Sequence, residues 1–286
     1  MQRTPLYCST GTIIGRVTGY DYRKILEYMP RIAEAVSLDG VELMMLGAYL
    51  ERTVSIARAL KASGLCFPII HADKEIGTLL SHAAVSSDNE TALRRQALCI
   101  WSRNCEMGEI IGARQIVIHL WGGSDSDANL ESNLRCLEDL CETAALHGLE
   151  VLIENVPCTT ADPIRNLSQI HAAFPDQRFV FDTRFAAFHN QLESLTETPW
   201  LIGNRLAHMH ISDLHPGAPR DFSRLRPILH PGEGMIDFPA LIGALKKRDY
   251  AGSVTMESPV MSEAGIDSEK MIASLRQLRA WLDGKE

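Results

Sequence analysis

Carboxylate and imidazole side chains follow short apolar runs at several places in this chain. Glu154 follows "VLI", Asp182 follows "FVF", and Glu257 ends the run "SVTME". Burying such a carboxylate is costly unless a cation or hydrogen bonds compensate it. Three acids in one pocket would repel each other unless a divalent cation lay between them. Together with His210, in "HMHIS", they form an oxygen-rich ligand set suited to Mn²⁺ or Mg²⁺, with Zn²⁺, Co²⁺ or Fe²⁺ also possible.

Repeated strand and helix patterns must position these residues. Short apolar, β-branched runs predict eight buried strands, at 5–9, 40–45, 67–72, 115–121, 150–155, 178–183, 205–212 and 253–258. Amphipathic stretches between them predict helices that begin near residues 22, 51, 91, 130, 163, 192, 238 and 268. The alternation predicts a single-domain α/β protein, a (β/α)8 TIM barrel over residues 1–286, with an open doubly wound sheet as the alternative.

Composition narrows the class of protein. A hydrophobic content of 45% and a charged content of 22% are typical of a globular chain with a substantial core. The net charge of -8 has the wrong sign for holding a nucleic-acid backbone, so no nucleic-acid partner is expected. No run is apolar enough to suggest a signal peptide or a membrane span, which predicts a cytoplasmic protein without a membrane partner. The seven cysteines form no CxxC pair, which argues against a disulfide framework.

Five segments, taken in order, carry a family resemblance: "LIENVP", "FVFDT", "HMHISD", "HPGEGMIDF" and "TMESP". As a set they resemble the xylose isomerase-like TIM barrel superfamily, which includes sugar isomerases and epimerases, inosose dehydratases and metal-dependent apurinic/apyrimidinic endonucleases. The resemblance implies one metal held as in the ketose 3-epimerases, by residues that correspond here to Glu154, Asp182, His210 and Glu257.

The resemblance also shows departures. The substrate-binding His of the epimerases, three residues after the metal Asp, corresponds here to Phe185. Arg184, His189 and Arg220 would replace the missing contacts, or the arginines would only be solvated. In the endonuclease branch the third zinc needs that same His and a later Asp-x-His pair, and the pair aligns with Arg226 and Ile228. The incomplete set of zinc ligands and the net negative charge of the chain disfavour phosphodiester hydrolysis.

Further substrate-binding candidates lie near the predicted strand ends, each with an alternative. His71 and His119 would bind substrate hydroxyls or hold a second metal, and Glu42 would bind a hydroxyl or make a structural hydrogen bond. Trp121 would face a sugar ring or pack under a loop. In the run "HPGEG", His230 or Glu233 would touch ligand, or its glycines would only shape a turn.

The resemblance predicts a metal-dependent isomerase or epimerase for a small keto sugar or polyol-derived ketone. Glu154 and Glu257 would be the catalytic residues, transferring protons through a metal-stabilised ene-diolate. The alternatives are a hydrolase of the endonuclease type, an inosose-type dehydratase and a barrel that only binds ligand. The expected partner is a small-molecule sugar, and such barrels can also form homo-oligomers.

Overall fold

The computed structural model describes residues 3–285, and its main feature is a closed barrel of eight strands in the order β1 to β8. The predicted fold class is therefore confirmed, and the open-sheet alternative is wrong. The strands are β1 Leu6–Ser9, β2 Gly40–Met44, β3 Ile69–His71, β4 Gln115–Ile118, β5 Glu150–Glu154, β6 Arg178–Asp182, β7 Leu206–Ile211 and β8 Ser253–Met256.

Residue contacts group the described chain into two compact units. The first comprises the chain up to Glu42 together with the chain from Val180 onward, and the second is Leu43–Phe179. In the first unit, β1 pairs in parallel with β2 and β8, and β7 pairs in parallel with β8. In the second unit, β3, β4 and β5 pair in parallel. The prediction that residues 1–286 form one domain stays a prediction.

Helices connect successive strands, as parallel pairing requires. Their bounds are α1 Arg23–Val36, α2 Thr53–Ala62, α3 Glu75–Val85, α4 Glu90–Ile111, α5 Leu130–Leu134, α6 Leu137–Leu146, α7 Pro163–Ala173, α8 Thr183–Phe188, α9 Leu192–Glu197, α10 Phe238–Lys246 and α11 Ser268–Asp283. A two-stranded hairpin, β9 Met261–Ser262 with β10 Gly265–Ile266, precedes α11.

The strands are buried on both faces, which explains why they are near-continuous apolar runs in the sequence. Every residue of β7 and of β8 is buried, including the imidazoles of His208 and His210. Asp237 caps α10 by accepting a hydrogen bond from the amide of Ala240 (2.9 Å), as its sequence position predicts.

The predicted helix beginning at residue 130 is two helices, α5 and α6. The carbonyl of Ser132 accepts a hydrogen bond from the guanidinium of Arg94 (3.1 Å), while the amide of Cys136 donates to Asn133 instead (3.0 Å). Arg94 also contacts the thiol of Cys136. The continuous ladder of an α-helix is interrupted there because a side chain from α4 takes one of its carbonyls.

Two helices, α3 and α8, were not predicted from the sequence. α3 contains Gly77 at a close approach: a Cβ there would lie 2.5 Å from the carbonyl oxygen of His119. Such a residue lowers helix propensity locally, but only glycine permits the contact. α8 is six residues long, too short to show an apolar period.

Two further sequence expectations concern the cysteines and membrane-spanning helices. All seven cysteines are free thiols, in agreement with the expected lack of disulfides. Over the described residues, none of the helices has both the length and the apolar character needed to cross a bilayer.

Candidate active site

Three predicted metal ligands of the first unit lie together. Asp182 ends β6, His210 lies in β7, and Glu257 directly follows β8. Each offers one ligand atom, and these atoms lie within 4.8 Å of one another. The Nδ1 atom of His210 is 3.8 Å from Oε2 of Glu257, which is longer than a hydrogen bond. Parallel pairing of β7 with β8 brings His210 and Glu257 close, because both lie toward the carboxyl ends of their strands.

Asp182 has a local structural role as well. Its Oδ1 accepts a hydrogen bond from the amide of Phe185 (2.7 Å), which caps the N-terminus of α8. The guanidinium of Arg184 lies 4.0 Å from its Oδ2. One carboxylate oxygen is therefore fixed by the backbone, and this orients the other.

Glu42 is fully buried and binds two imidazoles, one through each oxygen. Its Oε2 lies 3.0 Å from Nε2 of His208, and its Oε1 lies 3.0 Å from Nε2 of His210. Burial alone would raise the pKa of Glu42, but the charge of His210 and hydrogen bonds from both imidazoles outweigh it and hold the pKa well below its usual range. We call these three residues the Glu42 group.

The Glu42 group fixes the tautomer of His210. An ionised carboxylate only accepts, so Nε2 of His210 carries a proton, and Nδ1 is the nitrogen left to ligate a metal. A carboxylate behind an imidazole in this way orients the ring and raises the basicity of the ligating nitrogen. Since both oxygens of Glu42 are used, the structural alternative for this residue is favoured over a substrate contact.

His208 completes the support of Glu42. Its Nδ1 lies 2.7 Å from the hydroxyl of Ser253, and its ring stacks on Tyr7 at a centroid distance of 6.0 Å. Burial lowers the pKa of His208, and the hydrogen bond that the ring donates to Glu42 opposes that effect only partly. The ring is therefore a neutral spacer between the carboxylate and β8.

In the second unit, Glu154 ends β5 with two imidazoles near one of its oxygens. Oε2 of Glu154 lies 3.1 Å from Nε2 of His71 and 2.7 Å from Nε2 of His119. Nδ1 of His71 donates to the carbonyl of Ala72 (2.8 Å), so this nitrogen carries a proton. Burial lowers the pKa of His119 to about 4, although Glu154 partly opposes this. We call these residues the Glu154 group.

The loop after Glu154 is fixed by Asp127, a residue that the sequence did not single out. Its two oxygens accept hydrogen bonds from the amides of Thr159, Thr160 and Ala161 (2.7 to 2.9 Å) and from the side chain of Asn166 (3.1 Å). Burial raises the pKa of Asp127, but these donors outweigh it and lower the pKa to about 2. The segment following a predicted catalytic residue is thereby held by one ionised side chain.

Asp213 has the same function for the loop that follows β7. Its carboxylate accepts hydrogen bonds from the amides of Leu214, Gly232, Gly234 and Ile236, at 2.8 to 3.1 Å. Its position directly after a strand and ahead of a glycine-containing run was the available signal for this role. The "HPGEG" segment is therefore shaped by backbone hydrogen bonds to one acid.

The two "HPGEG" candidates are engaged in structural contacts. His230 is buried, with Nδ1 2.7 Å from the hydroxyl of Ser274 and Nε2 3.2 Å from the carbonyl of Pro259. Glu233 accepts from the amide of His230 (3.0 Å) and pairs with Lys270 (2.9 Å). These contacts favour the turn interpretation for both residues.

Three remaining candidates, Trp121, His189 and Arg184, are all buried. Trp121 is completely buried, which favours packing over contact with a sugar ring. His189 directly follows α8 and packs edge-on against Phe188 at a centroid distance of 4.9 Å. Arg184 is 5% exposed, and its Nε donates to the hydroxyl of Ser212 (3.2 Å). The terminal nitrogens of Arg184 donate no hydrogen bond among the described residues, although one of them lies 4.0 Å from Oδ2 of Asp182.

The residues of the first unit fit a divalent cation. Oε1 of Glu257 is a buried carboxylate oxygen that has no hydrogen-bond partner within residues 3–285. An orphaned oxygen of this kind is costly in a folded protein unless it binds an ion or water. Asp182, His210 and Glu257 supply the carboxylate and imidazole donors that Mn²⁺, Mg²⁺ or Zn²⁺ accept.

The sequence matches the model of one protein family. The model of a family described as "Xylose isomerase-like TIM barrel" matches residues 30–282. Against curated protein sequences, no match is significant.

Solved structures share the fold at low sequence identity. One is a "xylose isomerase-like TIM barrel/4-hydroxyphenylpyruvate dioxygenase fusion protein" (15% identity, TM-score 0.71). The match covers 98% of the present chain but only 42% of the length of the fusion protein. Another is the "IOLI protein with a binding zinc atom" (16% identity, TM-score 0.70, 97% of each chain). A third is the 3-keto-D-glucoside 4-epimerase from E. coli in its apo form (18% identity, TM-score 0.64, 99% of this chain and 100% of that one).

Proposed function

Because the chain belongs to the xylose isomerase-like TIM barrel family, we propose that it is a metal-dependent isomerase or epimerase of a small keto sugar or polyol-derived ketone. The observation that carries the proposal is the convergence of Asp182, His210 and Glu257, with a buried oxygen of Glu257 left for a ligand. Similar folds that bind zinc or epimerise a keto-glucoside support it.

We propose that Glu154 is the fourth metal ligand. In a closed parallel barrel the carboxyl ends of the strands face one mouth, and catalytic groups collect there. Glu154 ends β5 as Asp182 ends β6, and this equivalent position along the strand supports the proposal. When bound, the cation would polarise the carbonyl of the substrate and stabilise negative charge on its oxygen.

The chain's own residues would perform the proton transfers. Glu154 or Glu257 removes the proton from the carbon beside the carbonyl, which leaves an ene-diolate, and the other glutamate returns a proton to the opposite face. That sequence inverts the centre and gives an epimer. If one glutamate removes the proton and delivers it to the neighbouring carbon, while a second proton passes from the hydroxyl oxygen to the former carbonyl oxygen, the product is an aldose–ketose isomer. His71 and His119 hold Oε2 of Glu154, so the carboxylate is oriented before substrate arrives.

Exchange of substrate hydrogen with solvent tests this function. The protein, supplied in turn with Mn²⁺, Mg²⁺, Zn²⁺ and Co²⁺, is incubated in D₂O with ketopentoses, ketohexoses and inososes, and deuterium incorporation is followed by NMR. We expect exchange at the carbon beside the carbonyl of at least one sugar. Glu154→Gln and Glu257→Gln should each lower the exchange rate by about 10³-fold, because each removes a proton acceptor.

The matched control is Glu150→Gln, at the other end of β5. Glu150 is exposed and pairs with Arg178 at 3.2 Å, so its loss should leave exchange unchanged. Absence of exchange for every sugar with every metal would contradict the proposed function. Equal exchange by the wild type and both glutamine variants would contradict the assigned roles.

A second candidate, a metal-dependent hydrolase, rests on the convergence of His71 and His119 on one oxygen of Glu154. That arrangement would suit a second ion. Metal analysis separates the two functions: one bound equivalent favours sugar chemistry, whereas two or more zinc ions with phosphodiester cleavage favour hydrolysis.

A further inference from the structure

A cavity of about 460 Å³ lies within the first unit, between β7, β8, α10 and α11. Leu241, Ile242 and Leu245 of α10 form one of its walls, and Leu278 and Leu282 of α11 form another. All five side chains are buried, so these walls belong to the interior and are not an exposed apolar patch. The volume is within the range of about 300–1,000 Å³ that is usual for small-molecule sites.

The cavity is separate from the predicted metal ligands. Met209 and Ile211 of β7 line it. Successive side chains of a strand point to opposite faces, so these two point away from the face that carries His208 and His210. Those two imidazoles bind Glu42 on their own side of the strand. A molecule in the cavity therefore does not occupy the candidate active site.

The chemistry of the walls limits what can bind. Apart from the last residue of each helix, every lining residue of α10, α11, β7 and β8 is a leucine, isoleucine, methionine or valine. Tyr250 is the one aromatic residue among the described residues that line the cavity, and its hydroxyl donates to the carbonyl of Ser253 (2.7 Å). Sugars and nucleotides would lose hydrogen bonds in these surroundings. An alkyl chain loses none, and each methylene that leaves water strengthens binding.

Polar lining residues cluster at one end of the cavity. Lys246 ends α10, Asp283 ends α11, and Arg3 precedes β1. Since each helix returns the chain toward the start of the next strand, helix ends and strand starts lie at the same end of a parallel barrel. Arg3 is exposed, and its Nη1 lies 3.7 Å from Oδ1 of Asp39. The cavity is therefore aliphatic along its walls and polar at one end.

The charge at that end is mainly positive. Nζ of Lys246 donates to the carbonyl of Trp281 (3.1 Å), and a Cβ at Gly284 would lie 3.6 Å from the same Nζ. An ammonium group has three donors, so two remain for a ligand. Lys285, the residue after Gly284, lies 3.8 Å from Asp283, and exposed pairs of this kind are weak enough for another carboxylate to compete. In a protein of net charge -8 this local excess of cations favours an anionic group.

We propose that the cavity binds a free medium-chain fatty acid, a ligand with an alkyl chain and one carboxylate. The chain lies between α10 and α11, and the carboxylate binds the ammonium groups of Lys246 and Lys285. Charge-assisted hydrogen bonds favour the carboxylate over an uncharged alcohol of the same length. The cavity lies outside the candidate active site, so this inference does not depend on the proposed function.

Chain length and filling of the cavity test the apolar part of the site. Hexanoate, octanoate and decanoate are titrated into the full chain by calorimetry, below the concentrations at which they form micelles. We expect the affinity to rise about fourfold for each added methylene. Ile242→Trp and Leu278→Phe each place a larger side chain in the space, and either variant that keeps the wild-type denaturation midpoint should bind decanoate about tenfold more weakly. Lack of saturable binding, or undiminished binding by a folded variant, would overturn the proposal.

A second comparison tests the charged end without filling the cavity. Decanoate and decanol are titrated into the wild type, Lys246→Gln and the matched control Lys247→Gln, which removes an exposed charge from the next residue. We expect Lys246→Gln to weaken decanoate binding by about fivefold, as for a partly exposed ion pair, and to leave decanol binding unchanged. The control should bind both ligands as the wild type does. Equal effects of Lys246→Gln on decanoate and decanol would show that no carboxylate binds there, and the proposed ligand class would be wrong.

Discussion

The Glu42 group and the Glu154 group are both buried carboxylates that contact two imidazoles, yet they differ in how the oxygens are used. Glu42 gives one oxygen to each ring, at 3.0 Å in both cases. Glu154 gives a single oxygen, Oε2, to both rings. The first arrangement saturates the carboxylate, and it therefore suits a supporting residue.

The Glu42 group and the Glu154 group also differ in the solvent exposure of their side chains. His208, His210 and Glu42 are all completely buried, whereas His119 in the Glu154 group retains 9% exposure. A saturated group without exposure can position a ligand but cannot meet a substrate. His119 is therefore able to meet a substrate, whereas Glu42 can only support His210.

The largest expected effect is the loss of the charge on Glu42. Glu42→Gln removes the buried charge and leaves one of the two imidazoles facing an amide NH2 group instead of an acceptor, so the free energy of unfolding should fall by about 3–5 kcal/mol. His210 would also lose its fixed tautomer, which should weaken divalent-ion affinity by about 10- to 100-fold. Urea denaturation and metal titration measure the two effects. The exposed Glu34→Gln is the control, and a stability loss equal to that control would mean that the Glu42 group is not a scaffold.

The second largest expected effect is the loss of stability at low pH that His119 causes. Its pKa falls from 6.5 to about 4 on folding, so between these values the unfolded chain binds a proton that the folded chain does not. The free energy of unfolding of the metal-free protein should therefore decline as pH drops from 6.5 toward 4, by roughly 2–4 kcal/mol from this residue.

Replacement of His119 isolates that contribution. His119→Gln should flatten the decline, and His82→Gln, an exposed residue of α3, should not. The measurement is the denaturant midpoint from pH 7 to pH 4 with a chelator present. His208, whose pKa is also lowered, continues to contribute in every variant. Identical pH profiles for the wild type and His119→Gln would show that this imidazole is not buried in its neutral form.

A smaller loss of stability is expected when Asp127 is replaced. Asp127→Asn keeps the shape but loses the ionised acceptor of the loop after Glu154, which should cost about 2 kcal/mol at pH 7. The pKa of Asp127 is lowered to about 2, so the wild type keeps this contribution above pH 3.8 and loses it as pH falls toward 2. Hydrogen exchange at the amides of Thr159 to Ala161 reports the opening directly. Asp88→Asn, at an exposed acid, is the control, and unchanged protection of these amides would contradict the role.

The smallest effect is predicted at Glu233. Its pair with Lys270 is exposed on both sides, and such pairs contribute roughly 0–1 kcal/mol. Glu233→Gln should therefore change the unfolding midpoint little, and less still at high salt. Exchange of the substrate hydrogen should remain at the wild-type rate. A large loss of exchange would restore Glu233 as a ligand-contacting residue.

The positions of the strands were predictable from the sequence, but the hydrogen-bond partners of the buried polar side chains were not. Each predicted strand contains an observed one, because buried parallel strands require apolar β-branched runs. The role of Glu42 depends on His208 and His210, which follow it by more than 160 residues in the chain. No local pattern reports such a pairing. The roles of Asp127 and Asp213 likewise come from backbone amides that only the folded chain brings together.

Asp213 ties both ends of the segment between β7 and α10 to one carboxylate, through Leu214 at the start and Gly232, Gly234 and Ile236 at the end. The residues between these two ends therefore form a loop in which changes of sequence should be tolerated. Variants in its length or composition should keep the barrel intact provided that Asp213 and Gly234 are retained, since a Cβ at Gly234 would lie 2.4 Å from the carbonyl oxygen of Leu214. Ligand preference can thus diversify there without renewed selection on the rest of the protein.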